Sequence, residues 1–245
     1  MDKKVLIVIP AYNEENTIAA VINELRQVAP AYDRVIVNDG SSDATEKVVN
    51  ELGEKQLRLI HNLGYGQALQ TGLKYGLMRG YDIIVSIDAD GQHQPKDVTR
   101  LVAALQEKGA DMVIGSRFCD GSAYNTPIDR RLGQLLFSYL TKVLLGQRIY
   151  DTSSGFKAIR ATACEAIVNG SFMDFHIESI VQLKLSNFTI IEMPIKVQER
   201  THGRSMHSIV SVFQYPLKTI LLTIVAFMDA FFLRRQHAPA AHHDE

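Results

Sequence analysis

The sequence lacks an excess of charge of either sign, because 26 lysine and arginine residues nearly balance 27 aspartate and glutamate residues. A net charge of −1 argues against the broad positive field that nucleic-acid-binding domains commonly carry. Cysteine is also scarce, and Cys119 and Cys164 lie far apart without the spacing of a metal site. This low cysteine content favours a reducing compartment, so we expect a cytoplasmic protein.

Two common phosphate-binding motifs are absent. No G-x-G-x-x-G follows the first apolar segment, and no G-x-x-x-x-G-K-[ST] occurs anywhere in the chain. A Rossmann dehydrogenase or a P-loop enzyme would therefore lack its phosphate cradle. If the protein binds a phosphorylated ligand, we expect a bound metal ion to take the place of that cradle.

No full set of membrane-spanning segments is present, but the C-terminal part is strongly apolar. Thr219 to Leu233 has fifteen residues and one charged residue, Asp229. A helix of that length measures about 22 Å, against a hydrocarbon core of about 30 Å. Three interpretations stay open, namely a helix packed on its own domain, an oligomer interface, and a membrane anchor followed by Arg234 and Arg235.

Short apolar segments alternate with helical patterns, which predicts an α/β fold. Apolar strands separated by helices indicate a mostly parallel sheet that is covered on both faces. We expect one domain over residues 1–211, an apolar C-terminal helical segment over 212–235 and a disordered tail over 236–245. The predicted strands are 5–10, 34–39, 57–61, 82–88, 111–116 and 188–197, with a short strand at the end of 151–159. The predicted helices are 18–28, 43–52 (with Asp43 and Glu46 as its cap), 66–79, 96–108, 130–146 and 175–187.

Polar clusters follow four of these strands. They are PAYNEE (10–15), NDGSSD (38–43), DADGQH (88–93) and GSR (115–117). In an open α/β sheet, ligands bind outside the carboxyl ends of the strands. Because these clusters would all lie at that edge, the sequence predicts one composite site.

The DADGQH cluster indicates a metal site. Asp88, Asp90 and Gln92 offer oxygen ligands at alternating positions, which suit Mg²⁺ or Mn²⁺ and do not suit zinc. An isolated D-x-D is more often a polar turn. Here a buried strand would deliver the motif to the edge that also receives the other three clusters, which favours the metal site.

Six motifs, in this order, resemble the family 2 glycosyltransferases of the GT-A fold. The resemblance covers about residues 4 to 210 and is strongest to the branch with dolichyl-phosphate mannosyltransferase and bacterial polyprenyl-phosphate glycosyltransferases. Asn38 departs from the D-D pair that many relatives carry, and Arg204 departs from the Ser-Lys that the mannosyltransferases tend to show, so the sugar and the acceptor stay open. The motifs are IPAYNEE, NDGSSD, DADGQHQP, GSRF, DTSSGFKAI and QERTHGRSMH.

The resemblance implies a nucleotide-diphosphate sugar as donor, Mg²⁺ or Mn²⁺ as cofactor, and direct displacement with inversion at the sugar. The metal would neutralise charge on the leaving diphosphate. Its ligands would be Asp88, Asp90 and Gln92. The donor-binding residues would be Pro10, Ala11, Tyr12, Glu14, Asp39, Asp88, Ala89 and Asp90.

The acceptor depends on the arginines, because arginine suits bidentate recognition of phosphate. An anionic acceptor phosphate needs no general base, whereas a sugar hydroxyl would need one, for which Asp174 and Glu178 are candidates. The predicted acceptor-phosphate residues are Arg117, Arg130, Arg131, Arg200 and Ser205. The predicted catalytic residues are Asp88, Asp90, Arg117, Arg131 and Arg200.

Three hypotheses for the function follow. The first is transfer to a polyprenyl phosphate by an enzyme at the cytoplasmic face of a membrane, and the second is transfer to a glycan hydroxyl. The third is a catalytically idle scaffold that binds nucleotide sugars. Tyr65 and Tyr75 are interpreted as packing residues, and His93 equally as a loop residue with local hydrogen bonds.

Overall fold

A computed structural model describes residues 3–120, 128–170 and 176–198. These residues form a seven-stranded sheet flanked by helices. The strands are β1 (Val5–Ala11), β2 (Asp33–Asn38), β3 (Gln56–Arg58), β4 (Ile83–Ser86), β5 (Met112–Ser116), β6 (Lys157–Arg160) and β7 (Ile190–Pro194). The helices are α1 (Ile18–Val28), α2 (Thr45–Glu51), α3 (Tyr65–Met78), α4 (Asp97–Glu107), α5 (Ile128–Leu145), α6 (Ala161–Val168) and α7 (Ile177–Leu185).

The sheet is mostly parallel, as the sequence predicts. Its strand order is β3-β2-β1-β4-β6-β5-β7, and β6 runs antiparallel to both of its neighbours. Ala11 pairs with Asn38, and Val8 pairs with Ser86, so β1, β2 and β4 end close together. Because β6 is reversed, the segment 151–156 that precedes it reaches the same edge of the sheet.

The core lies on both faces of the sheet. Along β1, Val5, Ile7 and Ile9 pack on the side of α1, α2 and α4. Leu6 and Val8 pack on the side of α3, α6 and α7. Successive side chains of a strand point to opposite faces, and all five are buried, which explains why the segment is apolar throughout.

Two local features differ from the prediction. Helix α6 is short, follows β6 directly and has no side-chain cap, and it was not predicted from the sequence. The predicted cap of α2 is also wrong in detail, because Asp43 accepts the Thr45 N–H at 2.9 Å while Glu46 pairs with Arg58 at 3.1 Å. Asp43 also accepts the Glu15 N–H at 3.2 Å, so it joins two loops.

Helix α5 exposes much of its apolar surface. Leu135, Leu136, Tyr139 and Val143 are between 47% and 63% exposed, whereas Phe137 faces the core at 8%. Among the described residues, no helix is both long and apolar enough to cross a membrane. The segment 212–235 and the tail 236–245 lie outside the described residues.

Candidate active site

The loops after β1 and β2 are joined by hydrogen bonds. The Asn13 side-chain oxygen accepts the Ser42 N–H at 2.8 Å, and the Ser41 hydroxyl accepts the Asn13 N–H at 3.0 Å. The Thr45 hydroxyl accepts the Glu14 N–H at 2.8 Å. Asn13 holds a left-handed backbone, φ 57°, which asparagine tolerates better than most residues. The PAYNEE and NDGSSD clusters therefore form one structural unit.

Asp39 fixes the start of α3. Its two carboxylate oxygens accept the Leu63 and Gly64 N–H groups at 2.8 and 2.9 Å, and its side chain is buried. The neighbouring Gly40 lies at φ +68°, and a Cβ there would be 2.6 Å from the His61 carbonyl carbon. This close approach of two backbones requires glycine. Each Asp39 oxygen keeps a second lone pair that can accept a hydrogen bond. The predicted contact of Asp39 with the nucleotide-sugar donor stays a prediction.

Asp88 presents a carboxylate at the end of β4. The side chain is 29% exposed, and its Oδ2 lies 3.3 Å from the His93 Nε2. Burial would raise the pKa of Asp88, but the His93 imidazole lowers it below the ordinary value, and the Tyr65 hydroxyl adds to the lowering. Asp88 therefore places a negative charge beside the loops of β1 and β2.

Tyr65 lies against Asp88 although the sequence analysis interprets it as a packing residue. A Cβ on Gly155 would meet the Tyr65 hydroxyl at 2.3 Å and the Asp88 Oδ1 at 2.8 Å, so these two atoms face the same point. The Tyr65 ring also stacks on His176, with centroids 5.9 Å apart and an angle of 2°. Burial raises the pKa of Tyr65 well above its ordinary value, and the Asp88 charge raises it further. The hydroxyl is therefore a donor at neutral pH.

The predicted metal residues fit a hard divalent cation. Asp88, Asp90 and Gln92 supply carboxylate and amide oxygens, and Asp90 Oδ1 accepts the Gln92 N–H at 3.0 Å. Within 3–120, 128–170 and 176–198, no three His, Cys, Asp or Glu side chains form a metal-binding group. Mg²⁺ commonly completes its shell with waters and substrate phosphates. The set therefore suits Mg²⁺ or Mn²⁺ bound together with a diphosphate.

Arg117 forms a bidentate ion pair with Asp151. Its Nε and Nη2 donate to the two carboxylate oxygens at 2.7 and 2.8 Å, and Nη2 also donates to the Ser153 hydroxyl. Burial would raise the pKa of Asp151, but the Arg117 guanidinium holds it below the ordinary value. The Glu192 carboxylate accepts the Asp151 N–H at 2.8 Å, and burial raises the pKa of that glutamate. The GSR and DTSSG motifs are thus one ionic cluster.

Comparison with known proteins identifies the family. A model of glycosyl transferase family 2 matches residues 6–168, more than half of the chain. The chain belongs to glycosyl transferase family 2.

Two relatives of known name align with most of this chain. Polyprenol monophosphomannose synthase of Mycolicibacterium smegmatis is 31% identical over 217 residues, which cover 84% of this chain and 82% of that protein. UDP-N-acetylglucosamine–dolichyl-phosphate N-acetylglucosaminyltransferase of Methanococcus voltae is 33% identical over 217 residues, which cover 80% and 86%. The predicted resemblance to the polyprenyl-phosphate branch is confirmed.

A solved structure confirms the GT-A fold. Glucosyl-3-phosphoglycerate synthase of Mycobacterium tuberculosis, in complex with Mn²⁺, UDP and phosphoglyceric acid, superposes with a TM-score of 0.71 at 21% identity. The match covers 92% of this chain and 78% of that structure. The superposition shows the fold, and the family match and the relatives above show that the chain is a glycosyltransferase.

The remaining residues that the sequence predicts to bind the donor lie along the same edge. Pro10 and Ala11 are buried at the end of β1, Ala89 is buried between the two aspartates, and Tyr12 is partly exposed. The Glu14 carboxylate accepts the Thr17 hydroxyl at 2.8 Å. The structure thus brings the predicted donor residues together, while their contacts with a donor stay predictions.

The predicted acceptor residues are only partly described. Arg131 is exposed in the first turns of α5, and Arg130 precedes it on the same helix. Glu178 lies in the first turn of α7 and is 1% exposed. Three further candidates, Asp174, Arg200 and Ser205, lie outside the described residues.

Proposed function

We propose that this transferase moves a sugar from a nucleotide-diphosphate sugar to a polyprenyl phosphate, with inversion and with a divalent metal ion. The observation that carries the proposal is the pair Asp88 and Asp90, which β4 delivers to the edge where β1 and β2 end. The names of the Mycolicibacterium and Methanococcus relatives both specify a polyprenol or dolichyl phosphate product or acceptor. The name of one relative specifies mannose and that of the other specifies N-acetylglucosamine, so our proposal does not name the sugar.

The donor half of the site is fixed before the substrate arrives. Asp39 holds the start of α3, and Asn13 with Ser41 holds the loop of β1 against that of β2. Asp88 and Asp90, with Gln92, would hold the divalent cation that binds the donor diphosphate. When bound, Mg²⁺ or Mn²⁺ supplies positive charge that stabilises the leaving nucleoside diphosphate. Such preorganised groups need no rearrangement during the reaction.

The buried position of Glu178 supports a phosphate acceptor. A hydroxyl acceptor needs a general base within hydrogen-bond reach of its proton, whereas a phosphate is already an anionic nucleophile. Glu178 is 1% exposed, so an acceptor hydroxyl has no direct access to it in this structure. Among the described residues, this favours transfer to a phosphate.

The outer face of α5 suits an acceptor with an anionic head and an apolar chain. Arg131, Leu135, Tyr139 and Val143 recur at intervals of four, so they lie along one side of the helix. All four are exposed, and three are large and apolar. An exposed apolar strip of this kind is typical of a lipid or membrane contact. This strip supports our proposal that the enzyme acts at a membrane surface, for which we expect the cytoplasmic face.

The test is a transfer assay with two acceptors. Radiolabelled UDP- and GDP-sugars are incubated with the full chain, Mn²⁺ and undecaprenyl phosphate, and label in the organic extract is counted. Undecaprenol, which lacks the phosphate, is the matched control. We expect lipid-linked label from one donor with undecaprenyl phosphate alone. A soluble oligosaccharide is offered in a parallel reaction, and donor binding is measured by calorimetry. Label on the oligosaccharide alone would establish the hydroxyl-acceptor alternative, and donor binding without any transfer would establish the scaffold.

A further inference from the structure

The two oxygens of the Asp88 carboxylate face two different side chains. Oδ2 lies 3.3 Å from the His93 Nε2. Oδ1 and the Tyr65 hydroxyl are both buried, and neither makes a hydrogen bond of ordinary geometry with the described residues. Both of these atoms face the Cα of Gly155, whose missing Cβ leaves the space between them open.

We infer that Tyr65 and His93 are positioning residues that hold the Asp88 carboxylate in one orientation, each at a different oxygen. The inference rests on the proposed function, in which Asp88 would hold the divalent cation at the donor diphosphate. Neither side chain would touch the substrate or the metal. Each would act only through Asp88.

Both side chains are themselves held rigidly. The His93 ring is 6% exposed and packs on Phe156, with centroids 5.1 Å apart and an angle of 43°. The Tyr65 ring stacks in parallel on His176. A group that orients a metal ligand must have its own rotamer fixed by packing, and both residues meet this condition.

The burial of Asp88 Oδ1 and the Tyr65 hydroxyl supports a hydrogen bond between them. A buried hydroxyl or carboxylate oxygen without a partner costs about 1–3 kcal/mol or more. Phenylalanine at position 65 would keep the ring stack and avoid that cost. The hydroxyl is therefore useful only if it donates to Asp88 when the site is assembled.

Tyr65 also connects two carboxylates of the donor site. It is the first residue of α3, and the Gly64 N–H before it donates to Asp39. Asp39 thus fixes the backbone at the position from which Tyr65 reaches Asp88. A shift of the β2 loop would move the Tyr65 hydroxyl and, through it, the Asp88 carboxylate.

The test compares hydroxyl deletion at two tyrosines of the same helix. Tyr65→Phe removes the hydroxyl that faces Asp88, and Tyr75→Phe is the matched control, because the Tyr75 ring packs on the Arg79 guanidinium at 5.4 Å. Affinity for Mn²⁺ is measured by loss of the free-ion EPR signal with UDP or GDP present, whichever the wild type binds. Turnover and thermal stability are measured in parallel.

We expect Tyr65→Phe to weaken Mn²⁺ binding and to lower kcat by about 10–100-fold each, as for other residues that orient a metal ligand. Tyr75→Phe should match the wild type, and both variants should keep its melting temperature. His93→Leu should behave like Tyr65→Phe. His93→Gln should recover most of the loss, because its amide N–H can donate from a similar position.

Wild-type Mn²⁺ affinity and kcat in Tyr65→Phe would overturn the inference, even if His93→Leu failed to fold. A lower melting temperature with unchanged Mn²⁺ affinity would also overturn it, since it would show a packing role alone. If the wild type bound neither nucleotide with Mn²⁺, the proposed function would fail first and this inference with it.

Discussion

The Arg117 guanidinium and the Asp151 carboxylate form a bidentate ion pair, with N–O distances of 2.7 and 2.8 Å. Asp151 is fully buried, while Arg117 is 24% exposed. Arg117 was predicted from the sequence to bind the acceptor phosphate. The ion pair gives it a structural role as well, so its removal should affect stability in addition to any effect on turnover.

Replacement of Arg117 by methionine should destabilise the fold at pH 7. It leaves a buried carboxylate without its counter-ion, which costs about 3 kcal/mol, the lower end of the usual range because Arg117 is partly exposed. The measurement is the free energy of unfolding in urea. Arg58→Met is the matched control, since its pair with Glu46 is exposed and should contribute less than about 1 kcal/mol.

The destabilisation should depend on pH in a defined direction. Arg117 holds the pKa of Asp151 below the ordinary value, so the pair adds stability above the unfolded pKa of about 4. That stability is lost as the pH falls through the lower folded pKa. The difference between wild type and Arg117→Met should therefore shrink in acid. A difference that stayed constant from pH 7 to pH 3 would contradict the ionic account.

An alanine at position 155 should disable the donor site more than the fold. Its Cβ would lie 2.3 Å from the Tyr65 hydroxyl and 2.8 Å from Asp88 Oδ1, so both side chains must move. Overpacking of this kind costs about 1–3 kcal/mol of stability. We expect Mn²⁺-dependent nucleotide binding to weaken by about tenfold or more, measured by calorimetry.

The control for this substitution is Gly133→Ala on α5, where an added Cβ meets no atom within 4 Å. Binding in that variant should equal the wild type. If Gly155→Ala bound nucleotide and Mn²⁺ normally, the packing of Tyr65 and Asp88 around Gly155 would have no bearing on the donor site.

Polar substitutions on α5 should weaken membrane binding. Leu135 is 48% and Tyr139 is 62% exposed on the outer side of this helix. Burial of one large apolar side chain contributes about 1.5–3 kcal/mol, so Leu135→Ser with Tyr139→Ser should reduce the bound fraction by tenfold or more. Co-sedimentation with vesicles of phosphatidylethanolamine and phosphatidylglycerol measures it.

Met78→Ser is the control for the α5 variant, because Met78 is 86% exposed on a different helix. It should bind vesicles as the wild type does. If the wild type, the α5 double variant and Met78→Ser all bound vesicles equally, α5 would not be part of the membrane contact. The C-terminal segment 212–235 would then be the remaining candidate.

The grouping of the residues proposed for the donor site could be predicted because it depends on local patterns. Apolar segments that end in polar clusters indicate parallel strands, and parallel strands bring their carboxyl ends to one edge. Asp39, Asp88 and Asp90 therefore could be placed together from the sequence. The contact of Tyr65 with Asp88 could not be predicted, since only the packing of α3 and β6 brings Tyr65 and Gly155 to that carboxylate. His93, in contrast, belongs to the same motif as Asp88.

The direction of β6 and the buried side of α5 also could not be predicted from the sequence. β6 has four residues, and a strand that short carries no signal of its direction. On α5, Phe137 and Leu140 are apolar as well as Leu135 and Tyr139. A helix that is apolar on several sides does not reveal which side is buried, so the exposed strip became evident only in the fold.

The most direct test of the account is the metal dependence of sugar transfer in wild type and in Asp90→Asn. Formation of lipid-linked sugar on undecaprenyl phosphate is measured in EDTA and over a titration of Mn²⁺. We predict that EDTA abolishes wild-type transfer, that Mn²⁺ restores it, and that Asp90→Asn stays inactive at every concentration, because it loses a charged oxygen ligand. Full transfer by either protein in EDTA would contradict the account.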